Sequence, residues 1–168
     1  GHGLITPRIV DTLEKYSKYL AVNTQLNSFN MNYHSISKYK NADYVSVHEG
    51  ELRHDYRNRH DTVENLTKQL ANRIKSQVIT ITRGNEGSIV YKDGKYLVCP
   101  AFAGKVVDRV GAGDTLLAIT ALCFGAGVPE DFTLFYGNLA AAQTIASTGT
   151  GNKLNKVNLT KAVKALLK

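Results

Sequence analysis

Three short, mostly apolar runs, each set apart by polar sequence, constrain the fold of this 168-residue chain more than any other feature. They occupy residues 19–22, 44–47 and 77–82, and a stretch with helical periodicity, residues 61–75, separates the last two. Strands that alternate with helices form parallel βαβ units, because a crossover helix returns the chain to the same end of the sheet. The pattern therefore predicts an α/β fold around a mostly parallel sheet.

The alternation gives way to a hairpin signal after the third run. Two strand-like segments, residues 88–91 and 96–99, flank Asp93 and Gly94. An Asp-Gly pair between such segments is typical of a tight β-turn. We therefore expect an antiparallel pair of strands at one edge of the sheet. Four further helices are predicted from apolar spacing and breaker residues, over residues 7–16, 114–124, 130–147 and 158–167.

Composition points to one domain and excludes several classes. A length of 168 residues at 43% hydrophobic supports a single core. The net charge of +7 suits an anionic partner, but the basic residues are dispersed and form no face typical of nucleic-acid binding. Cys99 and Cys123 are too far apart for a metal knuckle, so we expect buried free thiols. No membrane-length apolar run and no signal peptide are found, which predicts a soluble cytoplasmic protein that does not bind membranes.

The segment Gly111-Ala112-Gly113-Asp114 contains the parts of an anion site and of a base. A glycine-rich turn that opens a helix directs backbone N–H groups at one point, where the helix dipole also attracts an anion. Asp114 repels phosphate, but it is suited to accept a proton from an attacking hydroxyl. The alternative is a plain turn before an acidic helix start. A dinucleotide fingerprint is excluded by Leu116 at its third glycine, and no P-loop Gly-Lys-Ser/Thr follows.

The order of motifs around this turn resembles the ribokinase-like (PfkB) carbohydrate kinases. The motifs are, in order, Thr82-Arg83-Gly84-x-x-Gly87, a hairpin, Asp108-x-x-Gly111-Ala112-Gly113-Asp114 and Asn138-Leu139-Ala140-Ala141-Ala142. The resemblance implies a ribokinase-like three-layer α/β sandwich and transfer of the ATP γ-phosphate to a sugar or sugar-phosphate hydroxyl. It covers nearly the whole chain but only the C-terminal half of the family. Residues 1–168 are therefore expected to form the ATP-binding portion, without the N-terminal sugar-binding half and the lid.

The same resemblance implies roles for individual residues. Asp114 is the catalytic base, and Gly111, Ala112 and Gly113 form the anion hole. Arg83 is expected beside the ATP phosphates, with a plain surface arginine as the alternative. The helix around Asn138 is expected near adenine, with simple helix packing as the alternative. The implied nucleotide-binding residues are Asn23, Thr82, Arg83, Gly84, Gly87, Asn138, Ala141 and Gly149.

A magnesium ion is also implied by the resemblance. Glu51 matches the acidic end of the family's Asn-x-x-Glu element, which organises Mg²⁺ through water, although His48 stands where Asn is usual. Mg²⁺ prefers oxygen ligands, so an imidazole there acts only as a hydrogen-bond partner beyond the coordinated waters. The resemblance also implies that Asp108 helps to bind a cation near the anion hole, either Mg²⁺ or a monovalent ion. The alternative for Glu49 and Glu51 is that both are acidic residues in the first turn of a helix.

The sequence that follows the first run bears on the substrate. Residues 21–27, 38–44 and 51–53 resemble the branch related to the heptose-phosphate kinase of ADP-heptose synthesis, which is often fused to a nucleotidyltransferase. Asn23 is the phosphate-side candidate in this loop. Two alternatives stay open: a kinase of a non-sugar alcohol such as a vitamin or nucleoside, and a noncatalytic nucleotide-binding or assembly module. Members of the family often dimerise through the lid, so a homodimer is one of the oligomeric states left open for the full-length protein.

Overall fold

The computed structural model describes residues 4–26, 34–102, 110–146 and 154–167. Five strands form one sheet in the order β1-β2-β3-β4-β5. The first three are parallel, and a two-residue turn joins the last two, with positive φ at Asp93 (49°) and Gly94 (78°). The strands are β1 Ala21–Asn23, β2 Tyr44–His48, β3 Val78–Thr82, β4 Ser88–Lys92 and β5 Lys95–Cys99. The predicted α/β class, mostly parallel with an antiparallel edge, is confirmed.

The described helices follow the sequence pattern closely, with one addition. They are α1 Pro7–Tyr16, α2 Glu49–Asp55, α3 Val63–Ile74, α4 Ala112–Gly125, α5 Glu130–Ile145 and α6 Lys156–Leu166. Short 3-10 turns occupy Ile36–Lys38 and Gly84–Glu86. The addition is α2, whose first turn contains Glu49 and Glu51, as the alternative interpretation of these two acids predicts. Strand β1 begins later than predicted because the Leu20 N–H donates to the Asp43 carboxylate at 2.6 Å.

Two compact units make up the chain: Gly1–Thr82 with Ile89–Leu97, and Arg83–Ser88 with Val98–Lys168. The core of the first unit lies between the parallel strands and α3. Thr62 caps this helix by accepting from Asn65 N at 3.1 Å, and its Leu66 and Leu70 are fully buried. They pack in one cluster with strand residues such as Ile79. Burial of this apolar face, rather than helix propensity, holds α3 in place.

The second unit is built on the packing of α4 against α5. A Cβ added to Gly137 of α5 would lie 2.5 Å from the Thr120 methyl carbon, so glycine permits this close approach. Thr144 Oγ1 also lies 3.1 Å from Thr115 Oγ1, which ties the end of α5 to the beginning of α4. The two helices therefore position the turn that precedes α4.

Both cysteines are free. Cys99 is buried as predicted, whereas Cys123 is only half-buried in α4. Burial raises the pKa of each thiol, and a hydrogen bond with Asn138 acts in the opposite direction at Cys99. Within the described ranges, the helices are too short or too polar to cross a membrane.

Candidate functional site

The turn before α4 has the backbone geometry of an anion site. Gly111 is the N-cap residue and adopts the left-handed region at φ 81°, a conformation that favours glycine. Its carbonyl accepts from Thr115 N at 2.9 Å, which closes the first helical turn. Gly111 has no side chain to cap the helix, so the first N–H groups of α4 are available to an anion. Gly113 is exposed, and Ala112 is half-buried.

Asp114 is the third residue of α4 and is exposed to solvent. A carboxylate at this helical position lies beside the N–H groups and can reach a hydroxyl that approaches the same point. Thr144 supports the turn from α5, since its methyl carbon is 3.9 Å from the position of a Cβ on Gly111. Sequence reasoning missed Thr144 and Thr115, because no motif marks a contact between two helices.

The loop from Arg83 to Gly87 is closed by its own backbone. Arg83 N donates to Gly87 O at 2.8 Å around the short 3-10 turn. The Arg83 guanidinium forms an ion pair with Glu86, whose side chain is largely exposed. A Cβ on Gly87 would lie 2.1 Å from the Cys99 carbonyl oxygen, so only glycine fits there. Gly84, at φ 58°, has open space around it.

Asn138 is buried in α5, at 6% exposure. Its Nδ2 donates to Ser88 Oγ at 2.6 Å and to Leu134 O at 2.8 Å, so the amide nitrogen is engaged within the protein. This gives Asn138 a structural part in holding α5 against the first residue of β4. Ala141, one turn further on, is half-buried. Contact of either residue with adenine stays a prediction.

Three candidate residues of the first unit end neighbouring parallel strands. The register pairs Asn23 with Ser46 and His48 with Thr82. Asn23, His48 and Thr82 are the last residues of β1, β2 and β3. The carboxyl ends of parallel strands are where ligands bind in open α/β sheets. The sheet therefore places these three candidates at the carboxyl ends of its parallel strands.

His48 and Glu51 cap α2 reciprocally. His48 Nδ1 accepts from Gly50 N at 3.0 Å, and Glu51 Oε2 accepts from His48 N at 2.8 Å. The other carboxylate oxygen, Oε1, accepts from Leu26 N at 2.9 Å. Glu51 therefore joins the loop after β1 to the start of α2. The imidazole provides the same acceptor that an asparagine N-cap would offer.

A magnesium ion fits Glu51 only through water. Both carboxylate oxygens already accept a backbone N–H, but each keeps a second lone pair. Mg²⁺ commonly keeps several waters and needs only one or two carboxylates together with phosphates. Among the residues that the structure describes, no group of three or more His, Cys, Asp or Glu is arranged to hold a metal. Asp108 and Gly149 lie outside the described residues.

Comparison with known proteins identifies a family match over most of the chain. The profile described as "pfkB family carbohydrate kinase" matches residues 8–157. The bifunctional protein HldE of Rhodopseudomonas palustris is 27% identical over 158 residues, which cover 89% of this chain and 31% of that protein. HldE of Koribacter versatilis is 26% identical over 152 residues, with 88% and 30% covered. The chain thus spans about a third of the length of these curated relatives.

Solved structures with the same fold are roughly twice as long. Phosphofructokinase-2 of Escherichia coli in complex with potassium superposes with a TM-score of 0.76 at 16% identity, covering 96% of this chain and 51% of that one. Arabidopsis thaliana ribokinase complexed with ribose and ATP gives 0.72 at 20% identity, covering 94% and 51%. The predicted ribokinase-like fold is confirmed.

Proposed function

Because the chain belongs to the pfkB family of carbohydrate kinases, we propose that it provides the nucleotide site, anion hole and base for phosphoryl transfer from ATP to a sugar or sugar-phosphate hydroxyl. One observation carries the proposal: Gly111, in the left-handed region, opens α4 with uncapped N–H groups beside the exposed Asp114. The hydroxyl oxygen attacks the γ-phosphorus, its proton passes to the Asp114 carboxylate, and ADP leaves.

The backbone of the turn stabilises the charge of the transferring phosphate. We assign this role to the N–H groups of Gly111, Ala112 and Gly113. Preorganised donors of this kind each lower a barrier by about 2.7–4 kcal/mol in known enzymes. The hydrogen bond between Thr115 and Thr144 supports the assignment, because it fixes α4 at the end that carries these donors.

The remaining candidates bind the nucleotide. Thr82, Arg83, Gly84 and Gly87 are assigned to the ATP phosphates, since a guanidinium suits a phosphate and glycines let the backbone approach closely. For this role the Arg83 side chain exchanges its ion pair with Glu86, whose side chain is 65% exposed, for the phosphate. Asn23 is assigned to the phosphate side. Asn138, Ala141 and Gly149 are assigned to the adenine side.

Mg²⁺ would neutralise charge on the ATP phosphates. Glu51 would hold it through water, using the second lone pairs of its carboxylate, while the backbone N–H groups of Leu26 and His48 fix the orientation of that carboxylate. Asp108 would serve a second cation near the anion hole, either Mg²⁺ or a monovalent ion. Glu51 is thus a positioned carboxylate that needs no movement to take up this role.

The acceptor we propose is a heptose phosphate. This finer assignment is supported by the resemblance of residues 21–27 and 38–44 to the heptose-phosphate branch and by relatives named HldE. The chain covers 31% of the first of these relatives, so the activity of a whole protein belongs to the proposal.

The base is tested by Asp114→Asn, with Asp131→Asn as matched control. Asp131 is also an exposed acid in the first turn of a helix, α5. In the assembled kinase domain, ADP release in the presence of a sugar phosphate should fall by about 10²–10⁴ for Asp114→Asn, the usual worth of a general base. ATP affinity by calorimetry should change little. Wild-type turnover in Asp114→Asn, or an equal loss in the control, contradicts the assignment.

A noncatalytic nucleotide-binding module is the second candidate. It is favoured by the capping interactions of Glu51, which account for an acid at this position without a metal ion. Thermal unfolding of the chain with ATP, in the presence and absence of Mg²⁺, separates the two. A Mg²⁺-dependent rise in Tm that Glu51→Gln removes supports the kinase, and the same rise without Mg²⁺ supports the module.

A further inference from the structure

The first unit contains a small polar cavity between α2 and the chain that connects β1 with β2. Its volume is about 130 Å³, and its lining residues all belong to this unit. Among the described residues that line it, seven of nine are polar or charged, and only Glu51 has a role in the proposed kinase. Sites that enclose drug-sized ligands measure about 300–1,000 Å³, so this cavity suits a small polar group rather than a whole nucleotide.

Two acidic residues line the cavity, and the protein already engages both. Glu51 accepts two backbone N–H groups, at 2.8 and 2.9 Å. Asp55 accepts from the Ser37 hydroxyl group, and the Arg73 guanidinium lies 3.8 Å from its carboxylate. The Asp55 side chain is only 7% exposed. Both acids thus have partners within the protein, and the basic and hydroxyl side chains of the lining decide which ligand it suits.

Arg57 carries the fixed positive charge of the lining. It is exposed, and within the described part of the chain its guanidinium forms no ion pair. Its backbone adopts the left-handed region at φ 49°, where glycine and asparagine are favoured, so an arginine costs backbone energy at this position. Residues 53–60 contain three arginines and two histidines but only one acid. An anion is therefore attracted to this part of the cavity.

Two hydroxyl groups add hydrogen-bond donors to the same cavity. Thr24 is buried at 7% exposure, and no hydrogen bond of its hydroxyl group is found within the described ranges. Ser35 precedes a 3-10 turn without capping it. A guanidinium binds a phosphate bidentately, and the remaining phosphate oxygens accept from hydroxyl groups. We propose that this cavity binds a phosphate group, either as inorganic phosphate or as part of a small phosphorylated molecule.

The test is calorimetric titration of the whole chain with inorganic phosphate. Arg57→Asn should weaken binding at least about tenfold, because charge-assisted hydrogen bonds are lost. Asparagine is tolerated at positive φ, so the Tm of this variant should not fall. The matched control is Arg59→Asn, an exposed arginine of the same loop that does not line the cavity. It should leave the affinity nearly unchanged, because salt screens a charge that does not touch the ligand.

Two further titrations identify the ligand. Glucose 6-phosphate should bind more tightly than inorganic phosphate if a sugar carries the group, and no more tightly if the ligand is phosphate itself. Acetate at the same ionic strength should not bind, because it offers two oxygens to the same donors. The proposal is overturned if phosphate does not bind, if acetate binds equally well, or if Arg59→Asn loses as much affinity as Arg57→Asn. Phosphate binding that survives Arg57→Asn also overturns it, and leaves the assignment of Asp114 untouched.

Discussion

Helices α3 and α4 are similar in length but differ in what they present to their surroundings. Half of the twelve residues of α3 are buried, whereas α4 buries two of fourteen. The exposed positions of α3 are all polar or charged, whereas those of α4 beyond Asp114 are Ala118, Leu122 and Gly125. The exposed residues of α3 are Glu64, Asn65, Lys68, Gln69, Asn72 and Arg73. Helix α3 thus turns an apolar side to the core and a polar side to water, whereas α4 turns apolar residues to water as well.

The first unit contains the main buried core, whereas the second unit contains the proposed anion site. The first unit holds the cluster of buried side chains that joins α3 to the parallel strands. The second unit holds the turn from Gly111 to Asp114, whose N–H groups are left without a side-chain cap. A helix that begins on uncapped donors is less stable by itself, but it can bind an anion there. The N–H groups at the start of α4 in the second unit therefore have no side-chain cap, whereas α2 and α3 in the first unit are capped by His48 and Thr62.

The largest expected effect comes from truncating one leucine in each helix. Leu70→Ala in α3 removes a side chain with no exposure and should cost about 2–5 kcal/mol in the free energy of unfolding. Leu122→Ala in α4 should change it by no more than about 0.5 kcal/mol, because that side chain is 73% exposed. Urea denaturation of the chain alone measures both. A comparable loss at Leu122 would mean that this side chain is covered within the chain itself.

Periodicity and turn chemistry predicted most of the fold. The Asp93-Gly94 pair predicted the hairpin because two consecutive positive φ values favour this dipeptide. The apolar spacing in residues 61–75 predicted α3, whose ends agree within two residues. Both signals are local, so the sequence contains them in full. The resemblance to the heptose-phosphate branch rests on residues 21–27, 38–44 and 51–53, and relatives named HldE are found.

Hydrogen bonds between residues far apart in the chain could not be predicted from the sequence. The pairing of Asn138 with Ser88 joins residues 50 positions apart, and no spacing rule indicates it. The link from Glu51 to Leu26 N likewise depends on how β1 lies beside β2. Helix α2 was underestimated because seven residues are too few to show periodicity. The roles assigned to Asp114 and the surrounding glycines stay predictions.

A pair of glycine substitutions probes how the second unit is packed. Gly137→Ala should destabilise the chain by about 1–3 kcal/mol, since the new Cβ would meet the methyl group of the buried, β-branched Thr120. Gly113→Ala places its methyl group in open space and should stabilise by about 0.4–1 kcal/mol, because it restricts the unfolded chain. Opposite signs in urea denaturation are expected. Equal effects would show that α4 and α5 can separate without loss.

The smallest expected effect concerns how the two units begin their helices. Helix α2 is capped by His48, whereas α4 has no side-chain cap. His48→Ala removes the acceptor for Gly50 N and should cost about 1 kcal/mol, and His48→Asn should retain most of that stability.

These two variants distinguish a cap from a mere contact. If His48 contributes only packing area, both substitutions shorten the side chain and both should lower the urea midpoint to a similar extent. If the Nδ1 acceptor matters, only the alanine variant loses stability, because asparagine supplies an oxygen at the same point of the helix. The second outcome is expected, since Glu51 completes the reciprocal cap from the other side. It would establish that side chains of the first unit satisfy the N-terminal donors of α2, in contrast to α4, which begins without a side-chain cap.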